Sequence, residues 1–334
     1  MPGTGGPIIH LINPFENADG GSEWRTIELY NLLHPHADVR MWSTETPDPR
    51  LTKIYPIHPV SEAQGIFPKG GTMVFIGCYK PLGRWVRNAT SDRTILVYNT
   101  PNPGMLAGYV KTLPALGNKI EMVFPSLAVQ YTVGAKGTVQ ASPIDLTRFT
   151  PAVPRNDGGG KFCIGRLSRD DPAKHHDRDL ALYKKLAGTG CHIRIMGGMV
   201  FEKTLSRIPG IEIMPTCAEV AEDFIRSLDC FYYRTSDTWT EPFGRVIMEA
   251  MACGVPAVAH NRGGYTEVIK HGENGFLFET QQEAYDLIMK LQGDTNLRGK
   301  IGLAARQKMM TIYSEFEMQK QIDFYVSSYQ VQVI

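Results

Sequence analysis

The stretch Asp237-Thr-Trp-Thr-Glu-Pro-Phe-Gly-Arg-Val-Ile-Met-Glu249, continued by Ala-Met-Ala-Cys-Gly-Val-Pro-Ala-Val258, decides the fold class of this chain. It reads as a polar loop, a helix start, an apolar helix and a strand. Cys230 to Tyr233 ahead of it is a short apolar strand pattern, Arg245 to Cys253 has helical spacing, and Val255 to Ala259 returns to strand. Pro242 stands where a helix start tolerates a missing amide hydrogen, and Gly244 allows close approach of a ligand to the backbone. The unpaired amides of a first turn face outward toward any anion. Glu241 precedes this helix, and Glu249 lies one to two turns into it among Ile247, Met248, Ala250 and Met251. A carboxylate so placed is costly unless it is paired, hydrogen-bonded or directed out of the apolar face.

The same alternation extends outward in both directions. Lys161 to Ile164 and His192 to Met196 read as strands, Asp179 to Leu186, Val220 to Leu228 and Ala284 to Leu291 as helices, and Leu303 to about Tyr329 as helix almost throughout. Upstream, Pro7 to Ile12, Met73 to Cys78, Ile95 to Tyr98 and Glu121 to Phe124 are short β-rich runs, with helical spacing over Glu23 to Leu33. Thr150-Pro-Ala-Val-Pro-Arg-Asn-Asp-Gly-Gly-Gly160 is the best linker candidate. The reading is therefore α/β with two Rossmann-like, doubly wound domains over 1–150 and 151–313. A closing helical segment, 314–334, is free to cross back to the first domain. Two such domains face each other across a cleft at the carboxyl ends of their strands, where open α/β sheets bind ligands.

Composition narrows the partners. The 334 residues suit two domains, and 35 basic against 34 acidic side chains argue against a nucleic-acid partner. The first 150 residues hold 13 basic and 11 acidic side chains and the remainder 22 and 23, so neither half hides a polyelectrolyte-binding face. No run reaches the roughly 20 apolar residues of a spanning helix, and the start has no signal-peptide pattern. Six isolated cysteines without a C-x-x-C pair read as buried free thiols of a cytoplasmic protein. The adjacent His175-His176 makes no closed metal-ligand set, so no metal or other cofactor is expected. Lys80-Pro-Leu-Gly-Arg-Trp-Val-Arg87 mixes basic and aromatic residues as a solvated helix start does; the alternative is an acceptor-side patch that docks an anionic lipid headgroup or membrane surface.

Two carboxylates flanking a helix N-terminus suit a ligand with phosphate at its middle and hydroxyls at both ends, since a carboxylate can accept two hydrogen bonds from a diol. A nucleotide-sugar has that layout. Glu241-Pro-Phe-Gly-Arg-Val-Ile-Met-Glu249 resembles the two-glutamate signature of retaining glycosyltransferase family four, which has the GT-B fold. Further segments resemble that family in its own order: Gly20-Gly21-Ser22-Glu23, Ile144-Asp-Leu-Thr-Arg-Phe149, Ile164-Gly-Arg-Leu167, Asn261-Arg-Gly-Gly-Tyr-Thr-Glu267 and Gly272-Glu-Asn-Gly-Phe-Leu277.

The resemblance implies roles at matching positions. Glu241 faces the transferred sugar, Phe243, Gly244 and Arg245 lie where backbone amides meet sugar or distal phosphate, and Glu249 binds the ribose hydroxyls. Arg166 and Lys174 neutralise the leaving diphosphate, and the Gly20–Gly21 loop approaches it from the first domain. Base recognition falls near Ile213 to Thr216. The chain departs from the pattern in three places. Asp171 occupies the usual lysine position, so Lys174 needs a small insertion; Asn99 stands nearest the place of a first-domain histidine; and Arg245 replaces an apolar residue.

The function these expectations describe is metal-independent, retaining transfer of a hexose from a UDP-, GDP- or dTDP-sugar. The acceptor is a glycan, a lipid-linked molecule or a small molecule, and the location is cytoplasmic with at most peripheral membrane association. The rivals are a nucleotide-sugar 2-epimerase of the same fold and a non-catalytic nucleotide-sugar-binding protein.

Overall fold

A computed structural model describes residues 6–152 and 160–327. The chain forms two compact units, one of residues 1–143 with 314–334, the other of residues 144–313. Most of the expected linker, Val153 to Gly159, lies outside the described residues. Ile144 to Thr150, read from sequence as the close of the first domain, cluster with the second unit. Phe149 is buried, and the Arg306 guanidinium donates to the carbonyls of Phe149 (2.6 Å) and Leu146 (3.2 Å).

The first unit holds seven parallel strands: β1 (Ile8–Asn13), β2 (Asp38–Ser43), β3 (Ile57–Pro59), β4 (Thr72–Ile76), β5 (Arg93–Val97), β6 (Ile120–Phe124) and β7 (Thr138–Val139), in the order β3-β2-β1-β4-β5-β6-β7. Strands β4 and β5 are buried end to end, and their alternate residues feed opposite faces. Val74, Ile76, Ile95 and Val97 pack with Ile27, Leu29 and Leu33 of the helix Gly21–Leu33 and with Ile322 and Tyr325 of the helix Glu315–Val326. Met73, Phe75, Leu96 and Tyr98 pack on the other side with Trp85, Leu106, Tyr109 and Val129. A sheet apolar on both faces must be covered on both, which is the doubly wound arrangement.

The second unit has six parallel strands: β8 (Cys163–Leu167), β9 (His192–Met196), β10 (Ile211–Met214), β11 (Cys230–Tyr233), β12 (Ala257–His260) and β13 (Phe276–Phe278), ordered β10-β9-β8-β11-β12-β13. Ile164, Ile193, Ile195, Tyr232 and Val258 form a core with Leu182, Tyr183 and Leu186 of the helix Asp179–Gly188. In both sheets the strand order reverses beside the first strand, between β1 and β4 and between β8 and β11. Ligands of open α/β sheets sit past the carboxyl ends of the strands at such a reversal.

The long closing helix expected from Leu303 to Tyr329 is two helices, Thr295–Ile312 and Glu315–Val326. Ser314 breaks it by taking an extended conformation and accepting a hydrogen bond from the Glu317 amide at 3.4 Å, an N-cap. Five cysteines are buried as read, but Cys217 is exposed, in a turn with φ of 61°. Among the described residues no helix is long and apolar enough to cross a membrane.

Candidate active site

The second unit gathers three of the expected residues at the carboxyl end of β11. Glu241 is buried in the loop after that strand, and its Oε1 accepts from the Lys174 ammonium, the Tyr233 hydroxyl (2.9 Å) and the Trp239 indole N–H (3.2 Å). No donor among the described residues is directed at Oε2. Burial works to raise the Glu241 pKa, but the Lys174 charge and these hydrogen bonds outweigh it and hold the carboxyl below its ordinary range. The Lys174 ammonium also lies over the Trp239 ring, 4.7 Å from its centroid. The insertion ahead of Lys174 is absorbed by a short 3-10 turn, Pro172–Lys174, which Asp171 caps by accepting from the Ala173 amide at 2.9 Å.

Arg166, on β8 across the reversal from β11, is 1% exposed. Its guanidinium donates to the main-chain carbonyls of Arg234 and Lys174 and lies 4.8 Å from the Tyr233 ring centroid. It thus ties the two loops that carry Lys174 and Glu241. Asp170 clips neighbouring loops, accepting from the amides of Met199 (2.8 Å) and Thr216 (2.8 Å), the latter at the edge of the stretch expected to recognise a base.

Gly244 caps the helix Arg245–Ala252 with φ of 81°, and a Cβ there would meet the Tyr265 ring at 2.6 Å, so this position needs glycine on two grounds. Phe243 is buried, 9% exposed. Arg245 does not stand alone as a cation for phosphate: its Nε donates to Glu249 Oε1 at 2.8 Å, one helical turn on, and both side chains are nearly buried. That pairing accounts for a carboxylate among apolar neighbours.

Several participants were not read from the sequence. Tyr233 and Trp239 look like core aromatics, and only the loop's fold turns their donors onto Glu241. Arg234 is buried, its NH2 group 3.0 Å from His176 Nε2 and its NH1 3.7 Å from Asp179 Oδ1. Asp179 is fully buried, accepts from the Tyr232 hydroxyl at 2.8 Å, and is pushed up to about 6 by burial against the pull of Arg166, Tyr232 and Arg234. His175 and His176 point to different partners. The His175 Nε2 meets the Gly197 carbonyl at 2.7 Å, and burial together with Arg166 lowers its pKa to about 3. Among the described residues no group of three or more His, Cys, Asp or Glu side chains could hold a metal ion.

Gly20, Gly21 and Asn99 lie in the first unit. Gly20 caps the helix Gly21–Leu33; a Cβ on it would collide with the Glu23 carboxylate at 1.9 Å, whereas one on Gly21 would meet nothing within 4 Å. Glu23 is held by the Ser22 hydroxyl (2.7 Å) and the Tyr79 hydroxyl. Asn99 follows β5 and accepts through Oδ1 from the buried Arg25 at 2.8 Å. In the Lys80–Arg87 stretch Trp85 and Val86 are buried while Arg84 and Arg87 are exposed, as at a solvated helix start.

Comparison with known proteins accords with this geometry. Residues 156–308 match the family described as Glycosyl transferases group 1. An N-acetyl-alpha-D-glucosaminyl L-malate synthase from Bacillus anthracis is 37% identical over 91 residues, 27% of this chain and 23% of that protein. A GDP-mannose-dependent alpha-mannosyltransferase from Mycobacterium tuberculosis is 26% identical over 248 residues, 65% of this chain and 62% of that one. The chain thus spans less than two thirds of the length of these curated relatives. The crystal structure of Anabaena Alr3699/HepE in complex with UDP and glucose superposes with a TM-score of 0.75 at 17% identity, covering 97% of this chain and 100% of that one. The chain therefore has the GT-B fold, and its residues 156–308 are similar to the group 1 glycosyl transferases.

Proposed function

We propose that this chain is a retaining glycosyltransferase that moves a hexose from a nucleotide diphosphate sugar to an acceptor hydroxyl without a metal. The observation that carries the reading is Glu241: a buried carboxylate with three donors on one oxygen, at the sheet reversal, just before a glycine-capped helix N-terminus. Fixing Oε1 leaves Oε2 to face the sugar, where an ionised carboxylate stabilises positive charge developing at the anomeric carbon. The anomeric C–O bond to the diphosphate breaks, the acceptor oxygen bonds to the same face, and its proton passes to the departing phosphate oxygen. Lys174 and the amides after Gly244 meet the negative charge that the leaving group gains, and Arg166 holds the Lys174 loop in place. Glu249, steadied by Arg245, is assigned to the ribose hydroxyls. UDP- and GDP-hexoses are the first donors to try, since HepE is a complex with UDP and glucose and the mycobacterial relative is GDP-mannose-dependent.

The test is Glu241→Ala. With a donor identified by thermal-shift screening of UDP-, GDP- and dTDP-sugars, the variant is expected to lose transfer by roughly 100-fold or more while still melting cooperatively. Turnover near that of the parent chain would remove Glu241 from the chemistry. Donor binding with no transfer to any acceptor in the parent chain would overturn the reading as a whole.

A further inference from the structure

The two loops that carry Lys174 and Glu241 meet at a second point, His176. This residue follows Lys174 in the segment after β8, and Asp237 precedes Glu241 in the loop after β11. The loops share a main-chain bond, from the Ser236 amide to the Ala173 carbonyl at 3.1 Å. His176 is buried, whereas the Asp237 side chain is 71% exposed. Arg262, from the loop after β12, reaches Asp237 from the other flank. Its Nη2 donates to the Asp237 carbonyl at 2.7 Å, its Nε to Thr240 Oγ1 at 3.2 Å, and its Nη1 lies 3.8 Å from Asp237 Oδ1. The proposed chemistry uses none of these contacts.

The His176 ring meets three groups that cannot all be satisfied. Its Nδ1 lies 3.1 Å from the Arg178 amide, which only donates. Its Nε2 lies 3.0 Å from Arg234 Nη2, which also only donates, and 3.4 Å from Asp237 Oδ2, which only accepts when ionised. A neutral imidazole carries one N–H proton. On Nδ1 that proton would face the Arg178 amide and leave the Nε2 lone pair against the Asp237 carboxylate, so only Arg234 would gain. On Nε2 it satisfies Arg178 and Asp237 together and displaces Arg234 alone. Arg234 has another partner within reach. Its Nε and Nη1, and Oδ2 of Asp179, have no hydrogen-bond partner among the described residues, and Nη1 already lies 3.7 Å from Asp179 Oδ1. Burial foremost, then the charges of Arg234 and Arg178, lower the His176 pKa against the pull of Asp237, which keeps the ring neutral at about pH 7.

We infer that His176, protonated on Nε2, is a positioning residue that latches the Lys174 turn to the Glu241 loop through Asp237, and that Asp237, held on its other flank by Arg262, sets where that loop presents Glu241. The effect on turnover rests on the proposed glycosyl transfer; the tautomer and the latch do not. All the residues involved belong to the second unit.

The tautomer is read by long-range nitrogen–proton correlation NMR of the full chain, isotope-labelled at its histidines, at about pH 7, with His176→Gln to assign the signal. A protonated Nε2 beside an unprotonated Nδ1 is expected. A proton on Nδ1, or on both nitrogens, overturns the latch. The loop is read by amide exchange in Asp237→Ala, a change at an exposed side chain. Exchange over residues 235–241 is expected to quicken by roughly 10-fold or more while β8 and β11 keep their protection. Unchanged exchange in that loop overturns the positioning role. Kinetics read the consequence for catalysis, with a donor that the parent chain turns over. Asp237→Ala is expected to lower kcat by roughly 10-fold with donor KM changed by less than about 3-fold. Asp237→Asn, whose carbonyl oxygen still accepts from Nε2–H, is expected to restore kcat to within about 3-fold of the parent. His176→Ala is expected to match Asp237→Ala, and the double variant to fall no further than either. Losses that multiply in the double variant, or equal loss in Asp237→Asn and Asp237→Ala, overturn the pairing. Absence of turnover in the parent chain with every donor would count against glycosyl transfer, while NMR and exchange would still decide the latch.

Discussion

Lys174 shows how a single side chain sets the state of another. Its charge is the main opponent of burial at Glu241. Lys174→Ala is expected to raise the Glu241 pKa, so that the acid limb of the kcat/KM profile moves to higher pH, and to lower stability by roughly 3 kcal/mol because a buried carboxylate loses its partner. A profile that keeps its acid limb in place would show that another group governs it. Asp179 runs the opposite way. Its carboxyl rises from an unfolded 3.8 to about 6 in the fold, so the native state prefers it protonated. Its contribution favours folding below the unfolded value and is lost as pH climbs through about 6, a swing of the order of 2–3 kcal/mol. Asp179→Asn, which mimics the protonated form, is expected to flatten that arm. Urea midpoints at about pH 4 and pH 8 measure it, and parallel curves for variant and parent would refute the assignment. Glu241 was legible in the sequence because Pro242, Phe243 and Gly244 dictate a loop-to-helix turn around it. Tyr233, Trp239 and Arg25 were not, because an aromatic in a strand or loop, or an arginine on a helix, carries no signal of where its donor will point.

At the scale of elements, the buried strands were the easiest to read. Cys230–Tyr233 has the bounds its apolar run suggests, since a strand covered on both faces is apolar throughout, and His192–Met196 keeps its bounds through Ile193, Ile195 and Met196, with His192 and Arg194 half-buried between them. Strand β2 was not read because Asp38 and Arg40 face outward and break the run, and β3, β7 and β13 are two or three residues at or near sheet edges. The break at Ser314 was written in the pattern Ser-x-x-Glu317 but was hidden by apolar spacing on either side. Helix packing gives a paired prediction. In the helix Thr295–Ile312, a Cβ on Gly302 would lie 2.2 Å from the Gly254 carbonyl oxygen, whereas one on exposed Gly299 would meet nothing within 4 Å. Gly299→Ala is expected to stabilise by about 0.5–1 kcal/mol through helix propensity. Gly302→Ala is expected to destabilise by roughly 1–3 kcal/mol, as two backbones must part. Equal shifts of the urea midpoint in the two variants would contradict this packing.

For the whole molecule, the two α/β series announced a doubly wound fold, but the path of the chain's end did not follow from periodicity alone. Ile322 and Tyr325 belong to the core of the first unit, and Arg93 donates to the Phe324 carbonyl while paired with Glu121 at 2.6 Å. Ending the chain after Tyr313 is therefore expected to uncover the part of one face of the first sheet that Ile322 and Tyr325 cover, leaving residues 144–313 folded and the first unit loosened. Amide exchange followed by mass spectrometry should show lost protection in β1, β4 and β5 and retained protection in β8 and β11. Unchanged protection in β5 would argue that the closing helix is dispensable.

The return of Glu315–Val326 to the first unit also sets an order of events during synthesis. Residues 144–313 leave the ribosome as an uninterrupted stretch and can close their sheet while translation continues, whereas the first unit has to wait until residues 315–326 have emerged. Until then part of one apolar face of the first sheet stays uncovered, and a nascent chain stalled or terminated before those residues would present it to chaperones and proteases.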